Sequence, residues 1–559
     1  MPFKYLISAL VFFTVLLPVP AEALSPAAGR NGMVASSEPL ASQAGVEILR
    51  MGGNAVDAAV AVGFAMAVTF PQAGNLGGGG FMTIRMANGS AVVVDYREQA
   101  PAAASRNMYQ DAQGNLIPGS STVGARAAGV PGTVMGLALA EQKYGKLGLA
   151  GVMAPAIRMA RNGFPVGYAL AQELRSEHAL LEKFEASRHI FLNDGHLYEP
   201  GAILRQPDLA RTLADIARRG PSAFYRGTAA KALVETMRKY DGVISAQDLE
   251  RYEAKVRPPL VGHFRGFEIL SPPPPSAGGT MLIEMLNVLE PLDLGTPNSY
   301  ASIHLIAETM RRAYADRAAY LGDADFSSVP VAGLTSPRYA VQLREQILQS
   351  SPDSPVLPGQ PQPFESGATT HFSVVDAEGN AVSNTYTLNG WFGCGVTVEG
   401  AGFLLNNEMD DFAAKPGAPN MFGLVQSEAN AIAPRKRPLS SMTPTIVSRD
   451  GKVRLVLGSP GGGTIPNTVL QVLLNVLVYK MDALQAVTSP RFHDQWIPDR
   501  LVFEPVGFSA DTLDKLQQAG YPVGFRDNIG DCEAIEIHPD SGWRFGASDP
   551  RAEGKAVGY

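Results

Sequence analysis

Hydrophobic positions follow three successive textures along this chain, and each predicts a different kind of element. The first is an unbroken apolar stretch from Tyr5 to Leu17, preceded by Lys4 and followed by Pro18-Val-Pro-Ala-Glu-Ala23. It is short for a bilayer span and ends in the small residues of a secretory signal, so residues 1–23 are expected to be removed after Ala23. An uncleaved signal anchor is the alternative. No cysteine follows the stretch, which argues against a lipid-anchored lipoprotein, and no later segment has the roughly 18 uncharged apolar residues of a membrane helix. A periplasmic or secreted protein is the expectation.

The second texture has helical spacing. Helices are predicted over residues 39–51 and 54–68, where Asn54-Ala-Val-Asp57 opens an almost wholly apolar segment that must be buried. Strands at 80–86 and 91–96 follow, joined by Ala87-Asn88-Gly89-Ser90, whose Asn-Gly pair is a hairpin signal. From about 132 to 238 the apolar residues recur every three to four positions, as in Pro207 to Arg219, and this third reads as helical scaffold. Ser271-Pro-Pro-Pro-Pro-Ser276 forms a stiff loop before an apolar helix, Thr280 to Leu289, and a long helix covers 299–321.

The third texture begins where a run rich in Pro, Ser and Gln, Ser351 to Gly367, stops at Thr369-Thr370-His371. Strands are then predicted at 370–376, 381–387, 402–405, 443–449 and 453–458, with Asp376-Ala-Glu-Gly-Asn380 as the first hairpin turn. Thr369 has two readings. One is an ordinary loop entering a strand. The other is a new N-terminus inside a precursor, where a threonine supplies a hydroxyl nucleophile and its own α-amine as base.

Composition narrows the function classes. The net charge of -7 survives signal removal, because Lys4 and Glu22 leave together, and a mildly acidic surface is a poor partner for nucleic acid. With 58 Gly, 42 Pro and 45% hydrophobic residues, the chain is expected to form one large domain or two interlocked halves. Cys394 and Cys532 are the only cysteines, enough for one disulfide and too few for a cysteine metal cluster. The 8 histidines show no HExxH spacing, so a metal-free enzyme without a cofactor fits better.

Four polar clusters in the strand-rich third offer site chemistry, each with a bland alternative. Thr387 and Asn389 alternate at the end of the strand after Thr369 and could share one face. Asn406-Asn407-Glu408-Met-Asp410-Asp411 could bind a cationic amine, or form a solvated turn. Ser440 and Ser441 offer paired hydroxyls, or a local cap. Gly458-Ser-Pro-Gly461-Gly462-Gly463 exposes backbone N–H groups suited to an oxyanion, or is a plain turn. It lacks the Lys-Ser/Thr of a P-loop, and Gly-x-Ser-x-Gly is absent from the chain.

Taken in order, these clusters resemble the γ-glutamyltransferase (γ-glutamyltranspeptidase) family of N-terminal nucleophile hydrolases, from about Gly32 to Tyr559. The resemblance is carried by Gly77-Gly-Gly-Gly-Phe-Met82, Asp95-Tyr-Arg-Glu98, Gly129-Val-Pro-Gly-Thr133, Thr369-Thr-His371, Leu404-Leu-Asn-Asn-Glu-Met-Asp-Asp-Phe412, Arg437-Pro-Leu-Ser-Ser-Met442, Gly458-Ser-Pro-Gly-Gly462 and Gly546-Ala-Ser-Asp-Pro-Arg551. It implies an α+β fold, an αββα four-layer sandwich, built as one intertwined domain from two chains of a self-cut precursor. The large subunit would be residues 24–368 and the small subunit 369–559. By the same resemblance Thr369 is the nucleophile and Thr387 orients it. Arg97 holds the α-carboxylate of a γ-glutamyl group, assisted by Ser440 and Ser441. Asn389, Glu408 and Asp411 receive its ammonium, and Gly461 with Gly462 forms the oxyanion hole. Glutathione and other γ-glutamyl compounds are the implied donors, with water, amino acids or dipeptides as acceptors.

Two stretches depart from the family pattern. Phe422, in a lid-like segment from Lys415 to Leu424, stands where relatives often have Tyr. Gly390-Trp391-Phe-Gly-Cys394 stands where they often have smaller or hydroxylated residues; Trp391 is read as core, with the acceptor side as the alternative, and Cys394 as a buried thiol or disulfide partner. The competing functions are a glutaryl or cephalosporin acylase of the same fold, against which Glu408 and Asp411 argue, and a non-catalytic secreted binding protein.

Overall fold

A computed structural model describes residues 25–349, 351, 354–358, 370–426 and 428–559. The expected signal segment, Ala368 and Thr369 lie outside the described residues. Among the described residues no helix is long and apolar enough to cross a membrane.

Two seven-stranded antiparallel sheets form the centre. Their strands are β1 (Ala27–Gly29), β2 (Met33–Ser36), β3 (Gly79–Arg85), β4 (Ala91–Asp95), β5 (Lys255–Arg257), β6 (Leu260–Phe264), β7 (Phe267–Ser271), β8 (Thr370–Val375), β9 (Ala381–Thr387), β10 (Thr445–Arg449), β11 (Lys452–Gly458), β12 (Glu533–Ile537), β13 (Arg544–Ala547) and β14 (Lys555–Gly558). One sheet runs β14-β2-β8-β9-β3-β4-β5 and the other β1-β13-β12-β11-β10-β7-β6. The outer face of the first sheet is covered by α1 (Pro39–Arg50) and α2 (Ala55–Thr69). The second is covered by α3 (Gly278–Leu289), α4 (Tyr300–Tyr320) and α5 (Ile465–Leu477).

The period of two in each strand sorts its side chains between these layers. In β2, Val34 joins the core under α1 and α2, while Met33 and Ala35 face the inter-sheet cluster with Leu270, Val456 and Ile535. In the opposite sheet, Leu455 and Leu457 turn to the core under α3 to α5 while Val456 turns inward. Strands apolar on both faces follow from this four-layer packing, and it is the architecture expected from the sequence.

Local chemistry sets the boundaries. Every residue of α2 is buried, and its start is fixed by a capping box in which the Asn54 side chain accepts from the Val56 and Asp57 N–H groups while Asp57 accepts from that of Asn54. Asp376, in the turn between β8 and β9, accepts the N–H groups of Glu378, Gly379 and Asn380, and its second oxygen accepts that of Ala55 at 2.9 Å. The turn is thereby tied to a helix N-terminus, where a carboxylate is favoured. The strand expected at 402–405 is absent: Leu404 and Leu405 make isolated bridges only, because Gly400 and Gly402 take left-handed φ values of 72° and 77°. The helices of the middle third, from Thr133 to Lys239, pack outside α2 as scaffold.

His371 lies fully buried between the sheets, with ring nitrogens 2.9 Å from Thr385 Oγ1 and 3.0 Å from Ser373 Oγ. Burial lowers its pKa to about 3, so the ring is neutral at neutral pH. A Cβ on Gly458 would sit 2.4 Å from that ring, so the sheets meet here only because residue 458 has no side chain. Gly458→Ala is expected to cost about 1–3 kcal/mol by overpacking, seen as a lower urea midpoint with an unchanged slope; an unshifted midpoint contradicts the contact.

Candidate active site

Strand β9 delivers the first part of the site. Thr370, the first residue of β8, pairs with Tyr386, and Thr387 ends β9 beside it. The Thr387 hydroxyl accepts the Asn389 N–H at 2.7 Å, which helps turn the chain into a left-handed φ of 75° at Asn389. Asn389 Nδ2 donates to the Asn407 carbonyl at 3.1 Å. Its Oδ1 is buried and has no hydrogen-bond partner among the described residues.

Arg97, just past β4, is wholly buried and acts as a hub. Its guanidinium pairs with Glu408 and with Asp411, lies 3.5 Å from Glu98, and donates to the carbonyls of Pro438 at 3.0 Å and Leu439 at 2.8 Å. The residues expected to receive the two charged ends of a small zwitterion are therefore paired with one another in this structure. Three buried carboxyls surround one guanidinium. Desolvation raises Glu98 to about 7 and Glu408 to about 8, opposed by the attraction of Arg97, and holds Asp411 well above the usual carboxylate range.

The seryl pair lies behind this hub. Ser440 Oγ accepts the Met442 N–H at 3.1 Å, and Ser441 Oγ accepts from Arg317 at 3.1 Å. The Pro-rich loop docks here, with the Ser440 N–H donating to the Pro275 carbonyl at 2.9 Å and the Ala277 N–H to the Ser440 carbonyl at 2.6 Å.

Gly461 and Gly462 take φ values of 133° and 61° in the loop that opens α5, and Thr464 Oγ1 donates to the Gly461 carbonyl at 2.8 Å. The Phe422 ring covers this loop, 3.0 Å from where a Gly462 Cβ would stand. Its segment is anchored to the acidic cluster: the Met421 N–H donates to Asp410 at 3.1 Å, and Asn420 Nδ2 lies 3.4 Å from Asp411 Oδ1.

Thr387, Asn389, Phe422, Gly461 and Gly462 line one cavity of about 970 Å³. Arg97, Glu408, Asp411, Ser440 and Ser441 lie buried outside its lining. Trp391 lines the cavity and is 43% exposed, which corrects its reading as core. Cys394 and Cys532 are buried free thiols in separate cores, so they do not pair, and burial raises Cys394 to about 12. Sequence reasoning gave no role to Asp549 and Arg551. Asp549 accepts the Cys532 N–H at 2.9 Å and pairs with Arg491 and Arg551, a buried network that fastens the chain before β12. It also missed Asn420 and Met421, for which the acidic cluster they bind is 9 or more residues away and offered no local signal.

A sequence model of the family described as Gamma-glutamyltranspeptidase matches residues 41–559. The chain belongs to the gamma-glutamyltranspeptidase family. Among its relatives is the glutathione hydrolase proenzyme of Escherichia coli (strain K12), 48% identical over 532 residues, covering 94% of this chain and 91% of that protein. The solved gamma-glutamyltranspeptidase of Helicobacter pylori is 46% identical, with a TM-score of 0.57 over 58% of this chain and 95% of that one. The cephalosporin acylase of Bacillus halodurans superposes with a TM-score of 0.86 over 98% of this chain and 99% of that one, at 26% identity. Within the gamma-glutamyltranspeptidase family, then, this chain combines an N-terminal nucleophile hydrolase sandwich with a buried ion cluster beside an open cavity.

The raised carboxyls give a pH signature. A group protonated at higher pH in the folded than in the unfolded chain favours folding below its unfolded pKa, and that contribution is lost as pH rises through the folded value. For Glu408 the window runs from about 4.5 to about 8. Urea unfolding of wild type and Glu408→Gln across this window is expected to show the variant losing less stability as pH rises; parallel curves contradict the assignment.

Proposed function

We propose that the chain is the self-cleaving precursor of a γ-glutamyltransferase and glutathione hydrolase. The observation that carries this reading is the family match over residues 41–559, together with the E. coli glutathione hydrolase proenzyme at 48% identity. Residues 1–23 would direct export and be cut after Ala23. Residues 24–368 and 369–559 would remain together as a heterodimer of large and small subunits.

In this reading the Thr369 hydroxyl attacks the Ala368 carbonyl, the acyl group moves from nitrogen to oxygen, and water opens the resulting ester. The freed α-amine, with a reference pKa of about 7.7 to 8.0, then accepts the hydroxyl proton near neutral pH. Covalent geometry keeps the Cα of residue 369 about 3.8 Å from that of Thr370, which pairs next to Thr387. The position of Thr370 beside Thr387 supports the reading of Thr369 as a nucleophile acting on a donor in this cavity.

The donor's α-carboxylate would take a place on the Arg97 fork now held by an internal carboxyl, with Ser440 and Ser441 beside it. Its ammonium would be received by Glu408, Asp411 and Asn389, whose buried, partnerless Oδ1 is an acceptor suited to an N–H donor. An exchange of this kind conserves the pairing of charges in a site closed to water. As Thr369 adds to the γ-carbonyl, the Gly461 and Gly462 N–H groups would stabilise the oxyanion, a donor of this type contributing about 3–4 kcal/mol. The proton taken from the hydroxyl passes to the leaving amine, and water or an amino-acid or dipeptide amine resolves the acyl-enzyme.

The acylase reading is supported by the B. halodurans structure at 26% identity and by the Acylase ACY 1 proenzyme of Pseudomonas sp. (strain SE83) at 37% over 95% of this chain, both below the 48% of the E. coli glutathione hydrolase proenzyme. One experiment separates the two. Wild-type precursor is expected to split into two chains on a denaturing gel and to release aniline from a γ-glutamyl anilide, while Thr369→Ala remains one chain and is inactive. Equal splitting of both proteins removes Thr369 from its role, and turnover of glutaryl anilide alone establishes the acylase.

A further inference from the structure

The segment after β9 is built to push one side chain outward. Asn389, Phe392 and Gly393 all adopt left-handed φ values, 75°, 57° and 57°. Hydrogen bonds fasten the turn on both sides, from the Gly390 N–H to Asn407 Oδ1 at 2.9 Å and from the Phe392 N–H to the Gln72 carbonyl at 2.9 Å. Phe392 turns into the core against Phe191, with ring centroids 5.9 Å apart. Trp391 is left facing the cavity, its indole braced edge-on by Phe70 at 6.3 Å and 81°.

Leu170, Leu180 and Met421 also line this cavity, together with charged residues such as Glu173, Glu177 and Lys183. Met421 is 47% exposed, and its sulfur lies 3.6 Å from Asn389 Nδ2, so the wall adjoins the proposed amine-binding residue directly. An apolar surface in a concavity marks a binding site more than one on an open surface does. The cavity's volume of about 970 Å³ lies within the range of small-molecule sites. Of the residues proposed to recognise the γ-glutamyl group, Arg97, Glu408 and Asp411 do not line it, while Asn389, Gly461 and Gly462 do. The space beyond Asn389, Gly461 and Gly462 is therefore left for whatever is joined to the γ-carbonyl.

We propose that Trp391 forms the aromatic wall for the leaving and accepting amine, and that this chain thereby favours γ-glutamyl amides of amino acids with aromatic or bulky apolar side chains. The inference rests on the γ-glutamyl reading above. A flat indole offers area and ring stacking without directional polar demands, and Met421 on the segment that carries Phe422 supplies an adaptable cover. Such a surface discriminates by side-chain size and leaves the shared α-amine chemistry alone.

The test compares kcat/KM for glutamate release from γ-glutamylphenylalanine and from γ-glutamylglycine, using processed wild type, Trp391→Ala, Trp391→Leu and Trp391→Phe. Wild type is expected to favour the phenylalanine compound. That ratio should fall about 5- to 10-fold in the Ala and Leu variants, as loss of a ring contact implies, while the Phe variant keeps most of it. Should the Ala variant fail to fold, the Leu variant, which preserves an apolar filler, carries the comparison. A wild-type preference for glycine, or a ratio in Trp391→Leu within twofold of wild type, overturns the inference and leaves the γ-glutamyl reading intact. Failure of wild type to release glutamate from either compound, with glutaryl anilide turned over, overturns both.

Discussion

The buried charge of Arg97 is the constraint around which the rest of this site is arranged. An isolated guanidinium cannot be left in a dry interior, so the chain must bring it partners. Those partners come from three places: Glu98 beside it, Glu408 and Asp411 in the acidic segment, and the Pro438 and Leu439 carbonyls on the way into β10. Removing one member of such a buried pair typically costs about 3–5 kcal/mol, because the other charge is stranded. This fixes the position of segments more than 300 residues apart in sequence. It also ties the proposed large and small subunits together across the predicted cut.

The same cluster governs the cavity. Asp410 and Asp411 hold Met421 and Asn420, and these place Phe422 over the Gly461–Gly462 loop. A change of partner at Asp411 is therefore one hydrogen bond away from the aromatic cover. The separation between a closed, charged half and an open, partly aromatic half matches the two halves of a γ-glutamyl amide, one always the same and one variable. The fold does not by itself choose this chemistry, since a cephalosporin acylase shares nearly the whole architecture. The proposed function rests the distinction on the charged groups Arg97, Glu408 and Asp411 beside the shared scaffold.

How much of this was legible in the sequence follows from the range of each interaction. The capping box at Asn54, the Asp376 turn and the alternation in β8 and β9 are local, and periodicity or turn chemistry predicted them. The bridge-only segment at 402–405 was misjudged because left-handed glycines overrode its apolar run. Trp391 was misjudged for a different reason. A large aromatic between glycines is normally core, and only the three left-handed residues around it turn it out to the cavity.

The sequence by itself determined the core helices, the strands β3, β4 and β8 to β11, and the family's motifs in their order, because these depend on neighbours within a few positions. Tertiary structure decided what those motifs touch. It paired Arg97 with Glu408 and Asp411, left Cys394 and Cys532 in separate cores, seated Phe422 on the glycine loop and opened the cavity beside Trp391. Each of these depends on distances between residues far apart in the chain, and on which charges lose water together, which no local pattern encodes.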